Sequence, residues 1–137
     1  MKKIMFICLA LAFSAGQQSI AGGSGKTIEN LQAAFKGEST ASAKYAAFAR
    51  QAKQEGLLQI ATMFEATSKS EQIHASNHQA VLEKMGQKTE NFTPEYNIKT
   101  TKENLEDAIN GESYEITTMY PGFIATAKTE DVLGAQK

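Results

Sequence analysis

The triplet Gly37-Glu38-Ser39 returns as Gly111-Glu112-Ser113, 74 positions further on, and the match extends to both sides. Thr27-Ile-Glu-Asn-Leu31 is paired with Thr101-Lys-Glu-Asn-Leu105 at the same offset, and Ala52-Lys53-Gln54-Glu55 with Ala127-Lys128-Thr129-Glu130 at an offset of 75. A chain made of two copies of one segment must fold as a duplicated unit in which each copy covers the other. One residue has entered the second copy between its matching stretches. A single insertion inside a continuing helix is absorbed as a π-bulge, a feature that favours functional sites.

Each copy reads as helix. From Thr27 to about Gln54, Leu31, Ala34, Glu38, Ala41, Tyr45, Ala49 and Ala52 recur at spacings of three and four residues. Gly56 breaks this helix. A second runs from about Leu57 to Met85 with Ile60, Phe64, Thr67, Glu71, His74, His78, Val81 and Met85 on one stripe, and Gly86 is its natural stop. Gln87 to Lys99 is polar, holds Pro94 and has no period, so it is expected to cross the length of a bundle. Thr100-x-x-Glu103 resembles a capping box opening a third helix, with Leu105, Ala108, Glu112, Glu115, Met119 and Phe123 on its stripe. Pro121 falls inside that helix and should kink or rearrange it. No segment alternates as a strand. The expected fold is all-α, a four-helix bundle of two repeated helix pairs joined by a long crossover. The second copy breaks off at Lys137, a few residues into its second helix, which leaves the fourth helix largely missing.

The chain has 137 residues, enough for one domain and not for two. Its 14 basic and 15 acidic residues nearly cancel, so no nucleic-acid footprint is present. Residues 1–21 read as a signal peptide: Lys2 and Lys3 precede an unbroken apolar run from Ile4 to Phe13, followed by small residues at Ser14-Ala15-Gly16 or Ser19-Ile20-Ala21. The run has about half the length a bilayer span needs. Export to the bacterial periplasm is the expectation, with residues 22–26 as a flexible spacer and 27–137 as the domain. Cys8, the one cysteine, lies inside the leader, so the mature chain offers no disulfide, thiolate nucleophile or cysteine metal ligand.

The chemistry sits on the apolar stripes. Glu71 and His74, spaced i and i+3, project from one side of the second helix, Glu112 and Glu115 do the same on the third, and Glu38 stands on the first. A buried, uncompensated carboxylate costs several kcal/mol, so these acids need a metal, or else they are solvated or paired with lysines on a purely structural bundle. Oxygen-rich ligation with one imidazole suits iron, or manganese, better than a soft-ligand metal. Mid-helix glycine costs about 0.5–1 kcal/mol against alanine, and its recurrence beside each Glu suggests close packing or ligand access. Tyr45 and Tyr120 project near the carboxylates, where a phenol can hydrogen-bond a ligand or simply satisfy itself in the core. His78 lies one turn, about 6 Å, beyond His74 and is read as supporting or packing rather than ligating.

These residues resemble the rubrerythrin family of ferritin-like di-iron peroxidases. The carriers are Ile28-Glu-Asn-Leu-x-x-Ala-Phe-x-Gly-Glu-Ser39, Phe64-Glu65, Ser70-Glu-x-x-His74, and Asn104-Leu-x-x-Ala-x-x-Gly-Glu112-x-x-Glu115-x-x-x-x-Tyr120-Pro121. The resemblance implies two iron ions held by Glu38, Glu71, His74, Glu112 and Glu115, with Glu115 the additional carboxylate of the third helix. It also implies reduction of hydrogen peroxide to water, and a homodimer. Family members carry a further Glu-x-x-His on the fourth helix, which the repeat offset would place near position 145, and many carry a rubredoxin domain with paired Cys-x-x-Cys motifs. Neither stands in this sequence, so the resemblance implies a separate, rubredoxin-like or other electron donor. An iron-binding protein without turnover and a metal-free helical interaction protein are the rival expectations.

Overall fold

The computed structural model describes residues 24–136, and among them every regular element is helical. The expected leader, residues 1–21, lies outside the described residues. Helix α1 spans Gly25–Gln54 and α2 Leu58–Lys84. A third rod is continuous but composite: α3 (Thr101–Tyr114), a π-helical turn (Glu115–Met119) and α4 (Tyr120–Thr129). A short 3₁₀ turn, Leu133–Ala135, follows, and among the described residues there is no fourth rod.

Three turns set this topology. Gly56, at φ +77°, and Gly86, at φ +73°, each take the left-handed position that closes a helix. At the first turn the amides of Gly56 and Leu57 donate to the carbonyls of Lys53 and Ala52. At the second, Gly86 and Gln87 donate to Glu83 and Leu82. The third rod ends in the same way, with Asp131 at φ 55° in place of glycine and Val132 donating to Ala127. The duplication therefore runs through the turn as well as the helix. Residues 87–100 cross without regular structure against α1, anchored by Gln32 to the backbone of Lys88 and Glu90 and by the edge-on rings of Phe35 and Phe92. The capping box at Thr100 and Glu103 then opens α3.

The helix starts show where local reading falls short. Gly25 and Lys26, expected in the spacer, form the first turn of α1, because Glu130 accepts from the amides of Lys26 (3.2 Å) and Thr27 (2.8 Å). At the other end of the bundle Glu55 accepts from the amide of Thr101 at 3.1 Å. Each copy thus caps the helix that opens the other.

Helix α1 runs through the middle, antiparallel to both α2 and the third rod. Its buried alanines, Ala34, Ala41, Ala47, Ala49 and Ala52, let α2 come close, and Ser42 and Ser68 each donate a hydroxyl to the other's carbonyl at 2.8 Å. The core gathers Tyr45, Phe48 and Phe64, with ring centroids 5.4–6.0 Å apart, against Leu105 and Ala108. Burying a Phe contributes about 1.5–3 kcal/mol, so these rings fix the approach of all three rods just beside the acidic residues. Pro121, which should disturb the third rod, follows directly on the π-helical turn at the start of α4, where a missing amide costs little. The inserted residue and the proline are accommodated together.

Candidate metal centre

Glu38, Glu71 and His74 meet in one place. Each offers one ligand atom, and those atoms all lie within 4.8 Å of one another, a spacing that one ion spans. His74 Nδ1 is 2.8 Å from Glu71 Oε2 and 3.9 Å from Glu38 Oε2. Glu38 is 1% exposed and Glu71 is likewise buried, whereas His74 is 49% exposed. The imidazole was expected on a buried stripe; its outer side is open because nothing among the described residues packs over that flank of α2.

The acids are not paired with lysines. Among the described residues the groups within ion-pair reach of Glu38 and Glu71 are imidazoles alone. The nearby Lys44 pairs instead with Asp107 at 2.7 Å and lies over the rings of Tyr45 and Phe48. The purely structural account of these carboxylates thereby loses its premise for Glu38 and Glu71.

Both tyrosines reach the carboxylates, and they do so crosswise between the copies. Tyr45 of the first copy donates to Glu112 Oε1 at 2.7 Å, while Tyr120 of the second donates to Glu38 Oε1. Burial, reinforced by these acceptors, pushes both phenols well above the usual tyrosine range, so they remain donors. Glu38 Oε2 is buried with no hydrogen-bond partner. An orphaned anionic oxygen beside a second carboxylate and an imidazole is what a metal ion relieves.

The electrostatics agree. Burial alone would raise Glu38, but the adjacent His78 and Glu71 side chains and the Tyr120 hydroxyl outweigh it and hold the carboxyl down at about 2. Glu71 moves the other way, to about 8, through burial and then the adjoining Glu38 carboxylate. Glu115, at the start of the π-helical turn, is pushed up to about 7 by burial and by the charges of Glu38 and Glu112. Without a cation, then, the site holds itself together by keeping protons on two of its acids.

The other sequence expectations divide. Glu112 and Glu115 stand half-buried on the third rod, outside the tight trio. His78 bonds Tyr120, with Nε2 3.1 Å from the phenol oxygen, rather than joining the trio. Gly37 and Gly111 are not needed for close packing, since a Cβ built on either would meet nothing within 4 Å. The crosswise tyrosine bonds were not foreseen, though the duplication carries their signal: two copies related by a pseudo-twofold axis exchange equivalent contacts. A groove of about 610 Å³ opens between α2 and α4, lined by Leu31, His74, His78, Tyr120, Phe123 and others.

Three packed helical rods, two of them bringing carboxylates and an imidazole together and the third holding two further acids beside them, have the architecture of a ferritin-like carboxylate bundle. The Rubrerythrin family profile matches residues 29–137. The chain is 43% identical over 114 residues to nigerythrin of Nitratidesulfovibrio vulgaris, covering 77% of this chain and 53% of that protein. It is 43% identical over 106 residues to a rubrerythrin of Porphyromonas gingivalis, covering 77% and 52%. Its fold is similar to the fully reduced, all-ferrous state of nigerythrin, with a TM-score of 0.73 and 38% identity over 90% of this chain and 60% of that one. The chain belongs to the rubrerythrin family, whose cofactor is a di-iron centre. It spans about half the length of the curated relatives it matches.

Proposed function

We propose that the chain is the iron-binding module of an exported di-iron oxidoreductase that reduces hydrogen peroxide to water. The observation that carries this reading is the buried, partnerless Oε2 of Glu38 facing His74 and Glu71. Glu38, Glu71, His74, Glu112 and Glu115 hold the metal. The donor set, carboxylates with an imidazole and no thiolate, favours iron and admits manganese.

A pair of ferrous ions, when bound, supplies two electrons and Lewis acidity, which with two protons convert one peroxide to two waters. The protein's own part is to shape the site and place protons. Tyr120 and Tyr45 occupy one oxygen of Glu38 and of Glu112, leaving the other oxygen of each for ligation. Glu71 and Glu115, whose carboxyls are pushed up to about 8 and about 7, would release the protons they hold on ligating a metal. The groove beside His74 and His78 admits a small polar solute from solvent. Electrons return from a rubredoxin-like or other donor. The basic and apolar N-terminal run supports cleavage after Gly16 or Ala21 and residence in the periplasm, and the family resemblance supports a homodimer.

A second reading, an iron-binding protein without turnover, draws support from the half-exposed His74, which leaves the metal open to exchange. Peroxide added to the anaerobic, iron-loaded chain separates the two. The enzyme oxidises its ferrous ions far faster than free ferrous iron reacts under the same conditions; equal rates would sink the peroxidase reading. Metal analysis of the same preparation should find iron bound, and N-terminal sequencing of a periplasmic fraction should begin at Gln17 or Gly22.

A further inference from the structure

His78 is the polar residue at this site to which the metal gives no task. It stands one turn beyond His74 on α2, with its ring stacked on Tyr120 at a centroid distance of 5.9 Å and an interplanar angle of 24°. Its Nε2 is 3.1 Å from the Tyr120 hydroxyl and 3.9 Å from Glu38 Oε1. A phenol has one proton, and Tyr120 gives it to Glu38. The phenol oxygen is then left to accept, so the donor from the histidine is its Nε2–H. With its proton on Nδ1 instead, the ring would present a lone pair to Tyr120 and draw the phenol proton off the carboxylate. The hydrogen bonds thus run in one direction, from His78 to Tyr120 to Glu38 Oε1, and stop at the partnerless Oε2.

The duplicated partner pair lacks the first step of this chain. Tyr45 donates to Glu112 at 2.7 Å, but its ring packs on Phe48 and Phe64, and among the described residues no imidazole reaches its hydroxyl. The two tyrosine–glutamate pairs differ by one donor.

We propose that His78 is a positioning residue: by donating to Tyr120 it fixes the phenol proton on Glu38 Oε1 and restricts Glu38 to offering a metal ion Oε2 alone. This rests on the metal-binding reading above. The full chain, stripped of metal by a chelator, is titrated with Co(II), whose visible absorption reports coordination geometry. Wild type is compared with His78→Phe, which keeps a stacking ring without the donor, and with His78→Gln, which keeps a donating Nε2. His78→Phe should weaken Co(II) binding roughly ten- to a hundredfold, the usual cost of losing a residue that orients a metal ligand, and should shift the visible bands. His78→Gln should retain wild-type affinity and bands. In the metal-free chain, the Tyr120 hydroxyl proton should exchange slowly in wild type and His78→Gln, and rapidly in His78→Phe. Wild-type behaviour of His78→Phe in the titration or in the exchange would overturn the proposal, as would a His78→Gln chain impaired as much as His78→Phe. Failure of the wild-type chain to bind Co(II) would instead overturn the metal reading, and this proposal with it.

Discussion

Burying a carboxylate is unfavourable unless something stabilises or neutralises it, and three acids here meet that demand differently. Glu38 stays charged under its hydrogen bonds, while Glu71 and Glu115 retain protons. This has a consequence for pH. Between the ordinary carboxyl value of 4.5 and about 8, the metal-free folded chain holds protons on Glu71 and Glu115 that the unfolded chain has released. Stability must therefore fall as pH rises through that window. Glu38, whose value is lowered, adds its stability above 4.5 and loses it only in more acidic solution. Urea unfolding in the presence of chelator should give a higher midpoint at pH 5 than at pH 8, and saturating metal should abolish or reverse the trend. Gly37 allows a second test. Nothing would meet a Cβ there, so Gly37→Ala should stabilise the metal-free chain by about 0.5–1 kcal/mol, measured by the same unfolding. A loss of metal affinity in that variant would point to ligand access as the reason for the glycine. Helical spacing put Glu38, Glu71, His74, Glu112 and Glu115 on inward stripes, and the first three come together in the structure. The spacing gave no information on which oxygen of Glu38 stays free, since that depends on a tyrosine 82 positions away.

The π-helical turn at Glu115–Met119 was readable from the change of offset between the two copies, because a longer second copy has to store its extra residue somewhere. That it lies beside Pro121 emerges only in the structure. What the offset did not supply is its effect, which is to turn Tyr120 and Phe123 about 100° relative to an uninterrupted helix and so aim the phenol at Glu38. Deleting Thr118 should restore regular α-helix, leave the circular dichroism helical, and swing Tyr120 off Glu38. Metal binding should then drop sharply while helix content holds. A deletion variant that binds metal like wild type would show the turn to be inert. The start of α1 was read two residues late for a related reason: local capping signals cannot register an acceptor that lies more than a hundred positions away.

The duplication orders the whole bundle. Glu55 caps α3 and Glu130 caps α1, as Tyr45 reaches Glu112 and Tyr120 reaches Glu38. The all-α class and the long crossover were legible because a 3.6-residue period and a proline-bearing polar segment are local signals. The exchange of bonds between the halves was not, since it exists only once they are docked. Glu130→Gln should leave the Glu55 end intact and speed hydrogen exchange at the amides of Lys26 and Thr27 selectively; uniform exchange along α1 would argue against the cap. These two bonds also bear on how the chain is made. A chain is made, and crosses a membrane on export, from its N-terminal end, so α1 and α2 can pair before the third rod arrives. The opening turn of α1 then waits for a carboxylate translated 103 residues after Thr27, and the earliest helix to be made is the last to be finished.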